Sequence, residues 1–192
     1  MARLDVKTLR SIIVLMLALA SCKSVLAADA GVVRKYSLHG HGTLVLQVPP
    51  GWKDQIRQAP GDAPPDIMLS GFEGTSFVVA VTPLWATPST AADFGTPKSI
   101  HGMVEQAAQA AAPRSVEGKL GIVTIGGGQG PGYYFDATDR APKPGEFKYM
   151  TQGAVGVGEL VCKFIILSDD ARSVAKTKAL TMLSEAGWRP GN

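Results

Sequence analysis

The sequence predicts an α+β domain built on a central antiparallel sheet of about six to seven strands flanked by helices. Three observations predict it. Seven short runs read as strands, several with apolar and polar residues alternating at the period of two that half-buries a strand. Most of these runs follow one another across short turns rich in Gly or Pro. Only two segments carry a convincing helical stripe, one mid-chain and one near the C-terminus, too few for a doubly wound α/β architecture. At 192 residues with 45% hydrophobic content, the chain is long enough to bury one ordinary core.

Residues 1–21 divide into a charged start (Arg3, Lys7, Arg10, with Asp5), an apolar stretch from Ile12 to Ala20, and small residues. This is the three-part pattern of an export signal. The apolar stretch is far short of the roughly 20 residues a transmembrane helix needs. Two cut sites compete. Leu19-Ala20-Ser21-Cys22 resembles a bacterial lipobox, which implies a diacylglyceryl thioether on Cys22 and cleavage before it. Lys23 is not the Asp that retains lipoproteins at the inner membrane, so the same resemblance points to the outer membrane. The alternative is Val25-Leu26-Ala27, with ordinary signal peptidase cutting before Ala28 and releasing a soluble periplasmic protein. Residues 22–32 are small, polar or Ala-rich and read as a tether, leaving residues 33–192 as a single α+β domain.

The first strand is "HGTLVLQVPPGW", where Leu44, Leu46 and Val48 alternate with Thr43, Val45 and Gln47. Pro49-Pro50-Gly51 stops it, because proline cannot donate to a ladder and glycine permits a turn. Trp52 is expected to fold back over the core edge. Arg57 to Asp66 is rich in breakers and reads as a surface loop. "DIMLSGF" and "TSFVVAVTPLW" are two further strands joined at Glu73-Gly74, and Ala86 to Pro97 is a second long loop. A helix follows, with Thr96 as cap, Pro97 at the first helical position and Ile100, Met103, Val104, Ala107, Ala108 and Ala111 on one stripe. Pro113 ends it. Four more strands are expected in "GKLGIVTIG", "GPGYYFDATD", "EFKYMTQGAV" and "GELVCKFIIL". The last helix is expected from a Ser168 cap with Asp169 and Asp170 in its first turn, and Gly187 as a left-handed cap at its end.

A strand ending in "VPPGW", two more strands, a helix, the Gly-then-aromatic strand "GPGYYFD", and a final strand leading into an amphipathic helix resemble the PsbP-like fold over most of residues 40–189. The resemblance implies a binding or assembly module without catalytic machinery, of the kind found among small bacterial lipoproteins. It supplies no catalytic residue to place on this chain.

The residues themselves offer little chemistry. "TIGGGQGPGYYF" does not fit the dinucleotide-binding spacing, which must lead into a helix; here Tyr133-Tyr134-Phe135 continues as strand, so a glycine-rich hairpin or bulge is expected. His39-Gly40-His41 would share a face on a strand and could grip a metal, but no spacing argues for His101, Asp136 or Asp139 as a third ligand, and no metal or cofactor is assigned. Ser70 and Ser76 lack a nucleophile elbow. Asp136 and Asp139 read as a turn. Cys162 lies in a β-prone run and is expected to be a buried hydrophobe. If Cys22 is lipidated, Cys162 is left without a disulfide partner.

Without the leader's three basic residues and one acidic residue, 16 basic face 15 acidic residues, a net of +1. With no basic block or stripe, nucleic acid is excluded as a partner. The expectation is a non-catalytic lipid-anchored envelope protein, tied to the membrane at Cys22 and using exposed loops to meet a protein or other envelope component. The rival is a soluble periplasmic small-ligand-binding protein or small enzyme cut after Ala27. It would hold a pocket around His41, Tyr134 and Asp136, with His39 beside it.

Overall fold

Antiparallel pairing runs through every strand of the computed structural model, which describes residues 31–191 apart from 59, 72–75 and 127–128. The leader, Cys22, the cut site after Ala27 and the Glu73-Gly74 turn lie outside the described residues. Gly31–Asn192 forms one compact unit.

The strands are β1 (Val32–Leu38), β2 (Gly42–Val48), β3 (Trp52–Arg57), β4 (Asp66–Gly71), β5 (Phe77–Trp85), β6 (Val123–Thr124), β7 (Gly132–Thr138), β8 (Tyr149–Val157), β9 (Leu160–Ser168) and β10 (Gly187–Arg189). The helices are α1 (Pro97–Ala111), followed by a 3-10 turn at Ala112–Arg114, and α2 (Val174–Ser184). Seven strands form the central sheet in the order β3-β4-β5-β9-β8-β7-β6, and β1-β2-β10 form a second, smaller sheet. The architecture is α+β, as the alternating runs predict.

The helices cover opposite faces of the central sheet. Ile100, Val104 and Ala108 of α1 pack with Phe135, Ala137, Ala154 and Val161. On the other face, Ala179, Met182 and Leu183 of α2 join Leu44 and Leu46 of the small sheet against Val79, Phe164 and Ile166. Period two explains the division, since alternate residues of one strand serve the two layers. Phe135 belongs to the α1 side, and its neighbour Tyr134 packs on the other.

Thr96 caps α1 as expected, its Oγ1 accepting from Ser99 N at 3.2 Å with Pro97 opening the helix. Four other expectations are corrected. Ser168 is the last residue of β9, paired with Phe77 and Tyr149, and its hydroxyl donates to the Asp170 carbonyl instead of capping a helix. The helix begins later, after Ser173. Gly187 starts β10 and is no left-handed cap, because the chain turns directly into pairing with β2. "GKLGIVTIG" contributes only Val123–Thr124 to the sheet. "HGTLVLQV" lies in the small sheet rather than the central one, and β3 takes the edge position beside β4.

Polar contacts tie the layers together. Tyr36 of β1 donates its hydroxyl to Asp54 Oδ2 of β3 at 3.0 Å, and Arg34 Nε lies 3.5 Å from Asp54 Oδ1. Burial and the Asp54 carboxylate push the Tyr36 phenol well above its ordinary value. Trp188 of β10 donates Nε1 to the His41 carbonyl at 3.0 Å, and its ring lies so close over Gly158 that a Cβ there would sit 2.8 Å from it. Among the described residues no helix is long and apolar enough to cross a membrane.

Candidate functional site

The residues expected to converge are divided between two places. Asp136 pairs with Thr151, which pairs with Ile166, which pairs with Val79. His41 stacks on Trp85, six residues further along β5. At about 3.4 Å per residue the two rows lie roughly 20 Å apart. Register therefore separates Asp136 from His41, while the Tyr134 row, four residues from Trp85, lies about 14 Å from the His41 end.

Around Asp136 the geometry is that of a structural clasp. Lys176 of α2 reaches both carboxylate oxygens, at 2.7 Å and 2.6 Å, and Thr151 donates its hydroxyl to Oδ1. The Lys176 ammonium also stands 5.8 Å from the centre of the Tyr134 ring, within cation–π reach. These contacts pin the first turn of α2 onto β7. The carboxylate's acceptors are thereby largely occupied by the protein itself.

His39-Gly40-His41 forms the turn between β1 and β2, with Gly40 in the left-handed region at φ 73°. That turn removes the shared strand face on which the histidine pair was read. His39 is exposed, while the His41 ring lies parallel to Trp85 at 4.0 Å between centroids and 13° between planes. His101, the third histidine, stands edge-on to Tyr133 at 5.1 Å and 4.0 Å from Glu105. Among the described residues no group of three or more His, Cys, Asp or Glu is placed to hold a metal ion. Cys162 is fully buried, and desolvation pushes its thiol up to about 12, so it stays a protonated core group at neutral pH.

The His41 side has a cavity of its own. A cleft of about 610 Å³ is lined by His41, Trp85, Phe94, Trp188, Gly158 and Glu159. Five segments meet there: the β1–β2 turn, the Ala86–Pro97 loop, the β6–β7 loop at Gln129–Pro131, the β8–β9 turn and β10 with the residues that follow it. The Arg57–Asp66 loop leaves the same end of the central sheet, because Thr82 near the end of β5 bonds Asp66 at the start of β4. Both loops marked as contact surfaces from the sequence thus sit at one end, with aromatic rings between strand ends and loop. Phe94, Trp85 and Trp188 were missed as a group, although each aromatic stands next to a breaker or a strand end in the sequence. Their convergence depends on β10 pairing with β2, which no local signal announces.

No family model matches the chain, and no curated protein matches it. Solved structures do match it. A crystal structure from Bacteroides thetaiotaomicron VPI-5482 matches with a TM-score of 0.53 and 10% identity, over 83% of this chain and 49% of that one. The fold is α+β. The chain spans about half the length of that Bacteroides protein, and identity this low speaks for the fold alone. The solution structure of cyanobacterial PsbP (CyanoP) from Synechocystis sp. PCC 6803 aligns with 15% identity over 90% of this chain and 99% of that one. The TM-score of that match is 0.47, and the α+β class rests on the strands, helices and pairings described above.

Proposed function

We propose that the protein is a non-catalytic binding module of the cell envelope, a PsbP-like lipoprotein tied to the outer membrane by acyl chains on Cys22. It engages a protein or other envelope component through the loop end that holds the aromatic cleft. The observation that carries this reading is the convergence of the Ala86–Pro97 loop with His41, Trp85 and Trp188 on one 610 Å³ cleft. Aromatic side chains in partly exposed clefts offer large contact area at low entropic cost. The reading is supported by the use of the domain's charged groups as clasps between elements: Asp136 with Lys176, Asp54 with Tyr36 and Arg34, and Asp139 with Arg114. The tether is supported by Leu19-Ala20-Ser21-Cys22, since two or more acyl chains are what a stable membrane anchor requires.

The test has two arms. Metabolic labelling with an alkyne fatty acid should mark the wild type and not Cys22→Ala; equal signals remove the anchor. A photoreactive amino acid at Ala91, in the exposed loop, should cross-link one discrete envelope partner in cells, while the same group at the exposed Glu105 on α1 should not. Matching patterns from the two positions defeat the loop-end reading. The volume of the cleft favours the second reading, a soluble periplasmic small-ligand-binding protein or small enzyme cut after Ala27. An unmodified N-terminus at Ala28 in native material would establish it in place of the first.

A further inference from the structure

A second cavity, of about 630 Å³, lies at the opposite end of the central sheet, beside the C-terminal half of α1. Its origin is visible in the sequence of the helix. The N-terminal half carries Ile100, Met103 and Val104, which fill the space down to Val161 and Leu84. The C-terminal half carries Ala107, Ala110 and Ala111, side chains too short to fill the space above the sheet. The groove left open has Ala137, Met150 and Leu167 on its floor and Phe147 of the β7–β8 loop as its far wall. Its volume and apolar lining are those of a small-molecule site.

The rim decides what charge fits. Asp139 accepts from Ala141 N at 3.0 Å and lies 3.8 Å from Arg114, which leaves both groups engaged. Glu146 Oε2 accepts from Lys143 N at 3.0 Å, turned onto its own loop. Lys148 is different: its side chain is exposed, its ammonium lies 5.6 Å from the Tyr149 ring centre, and it has no carboxylate partner among the described residues. A cation held by a cation–π contact but by no carboxylate, beside an apolar trough, matches a molecule with one negative head and an apolar body.

We propose that this groove binds a free medium-chain monocarboxylate, its alkyl chain along Met150 and Leu167 and its carboxylate at Lys148. The site is distinct from the loop-end cleft and does not depend on the anchor at Cys22. Desolvation of the alkyl chain supplies the affinity, and the lysine sets the polarity of the ligand by a charge-assisted contact.

The experiment uses the purified full chain and a diazirine-bearing decanoate, with labelled peptides mapped by mass spectrometry and unlabelled decanoate as competitor. Labelling is expected on the peptides carrying Met150 and Ala111, and it should be competed away. Ala110→Trp, an exposed helix position that fills the groove without entering the core, should abolish it. Lys148→Glu should lower it at least tenfold, Lys148→Arg should restore it, and a diazirine-bearing decanol should be indifferent to both. Scattered labelling, or groove labelling that survives Ala110→Trp, overturns the site. Equal labelling of wild type and Lys148→Glu overturns the carboxylate. The Cys22→Ala chain should label like the wild type, so a failure here is separable from a failure of the envelope reading; thermal melts of each variant report whether the fold is intact.

Discussion

Replacing Gly153 with alanine should cost the domain about 3 kcal/mol. Gly153 lies mid-way along β8, opposite Tyr134 of β7 and Phe164 of β9. A Cβ there would stand 2.6 Å from Phe164 Cζ and 2.7 Å from Tyr134 Cβ, and would press on the Tyr133 carbonyl oxygen. The carbonyl belongs to the strand backbone and Phe164 is 1% exposed, so neither can swing aside. Forcing one carbon into such a core costs about 1–3 kcal/mol, and two rigid neighbours put this site at the upper end. For a domain of this size each kcal/mol moves Tm by about 2–4 °C, so the drop should be roughly 6–12 °C. Gly102→Ala is the matched control. It sits in α1 with nothing within 4 Å of a new Cβ, and removing a helical glycine should add about 0.8–1.0 kcal/mol. Calorimetric or far-ultraviolet melts of the two variants test the reasoning. A Gly153→Ala protein melting within a degree of wild type would refute the packing described for Tyr134 and Phe164, and with it the assignment of Tyr134 to the core.

Asp136→Asn should lower stability by about 1 kcal/mol or less, since the Asp136–Lys176 pair is partly exposed and such pairs are weak; urea melts showing a loss several times larger would mean the carboxylate is more than a clasp. Alkaline stability should fall in steps. Cys162 and Tyr36 both have folded values raised above their ordinary 9.0 and 10.0, so their contribution is complete below pH 9 and is lost as pH rises toward the folded values, because the unfolded chain gives up these protons first. Melts from pH 8 to 11 should show Tm falling above pH 9, and the Cys162→Ala, Tyr36→Phe double variant should show a shallower slope; parallel slopes would contradict the burial of both groups.

Six of the ten strands and the start of α1 were legible because their residues obey a local rule: Leu44, Leu46 and Val48 alternate inward, and Thr96-Pro97 opens a helix. The strands that escaped obey none. β3 reads Trp-Lys-Asp-Gln-Ile-Arg, an edge strand whose residues are mostly exposed, so burial imposes no alternation on it. In β1 only Tyr36 and Leu38 are buried, and β10 is three residues long. Ser168-Asp169-Asp170 looked like a cap because its composition suits one, but ladder pairing with Phe77 and Tyr149 holds Ser168 in the strand. The candidate site failed for a related reason. His41, Tyr134 and Asp136 are the residue types a pocket would use, yet register places the Asp136 row about 20 Å and the Tyr134 row about 14 Å from the His41 end, and the aromatics that do meet His41 arrive from distant parts of the chain.

The hydrogen bond from Trp188 to His41 spans 147 residues, and it belongs to the pairing that gives β2 its second neighbour. Until Gly187–Arg189 have been translated, β2 has an open flank, and the layer covering one side of the main sheet is incomplete. Such long-range closure makes folding slow and late rather than progressive. A nascent chain stalled before Gly187 would therefore leave the Thr43–Val45 edge of β2 unpaired.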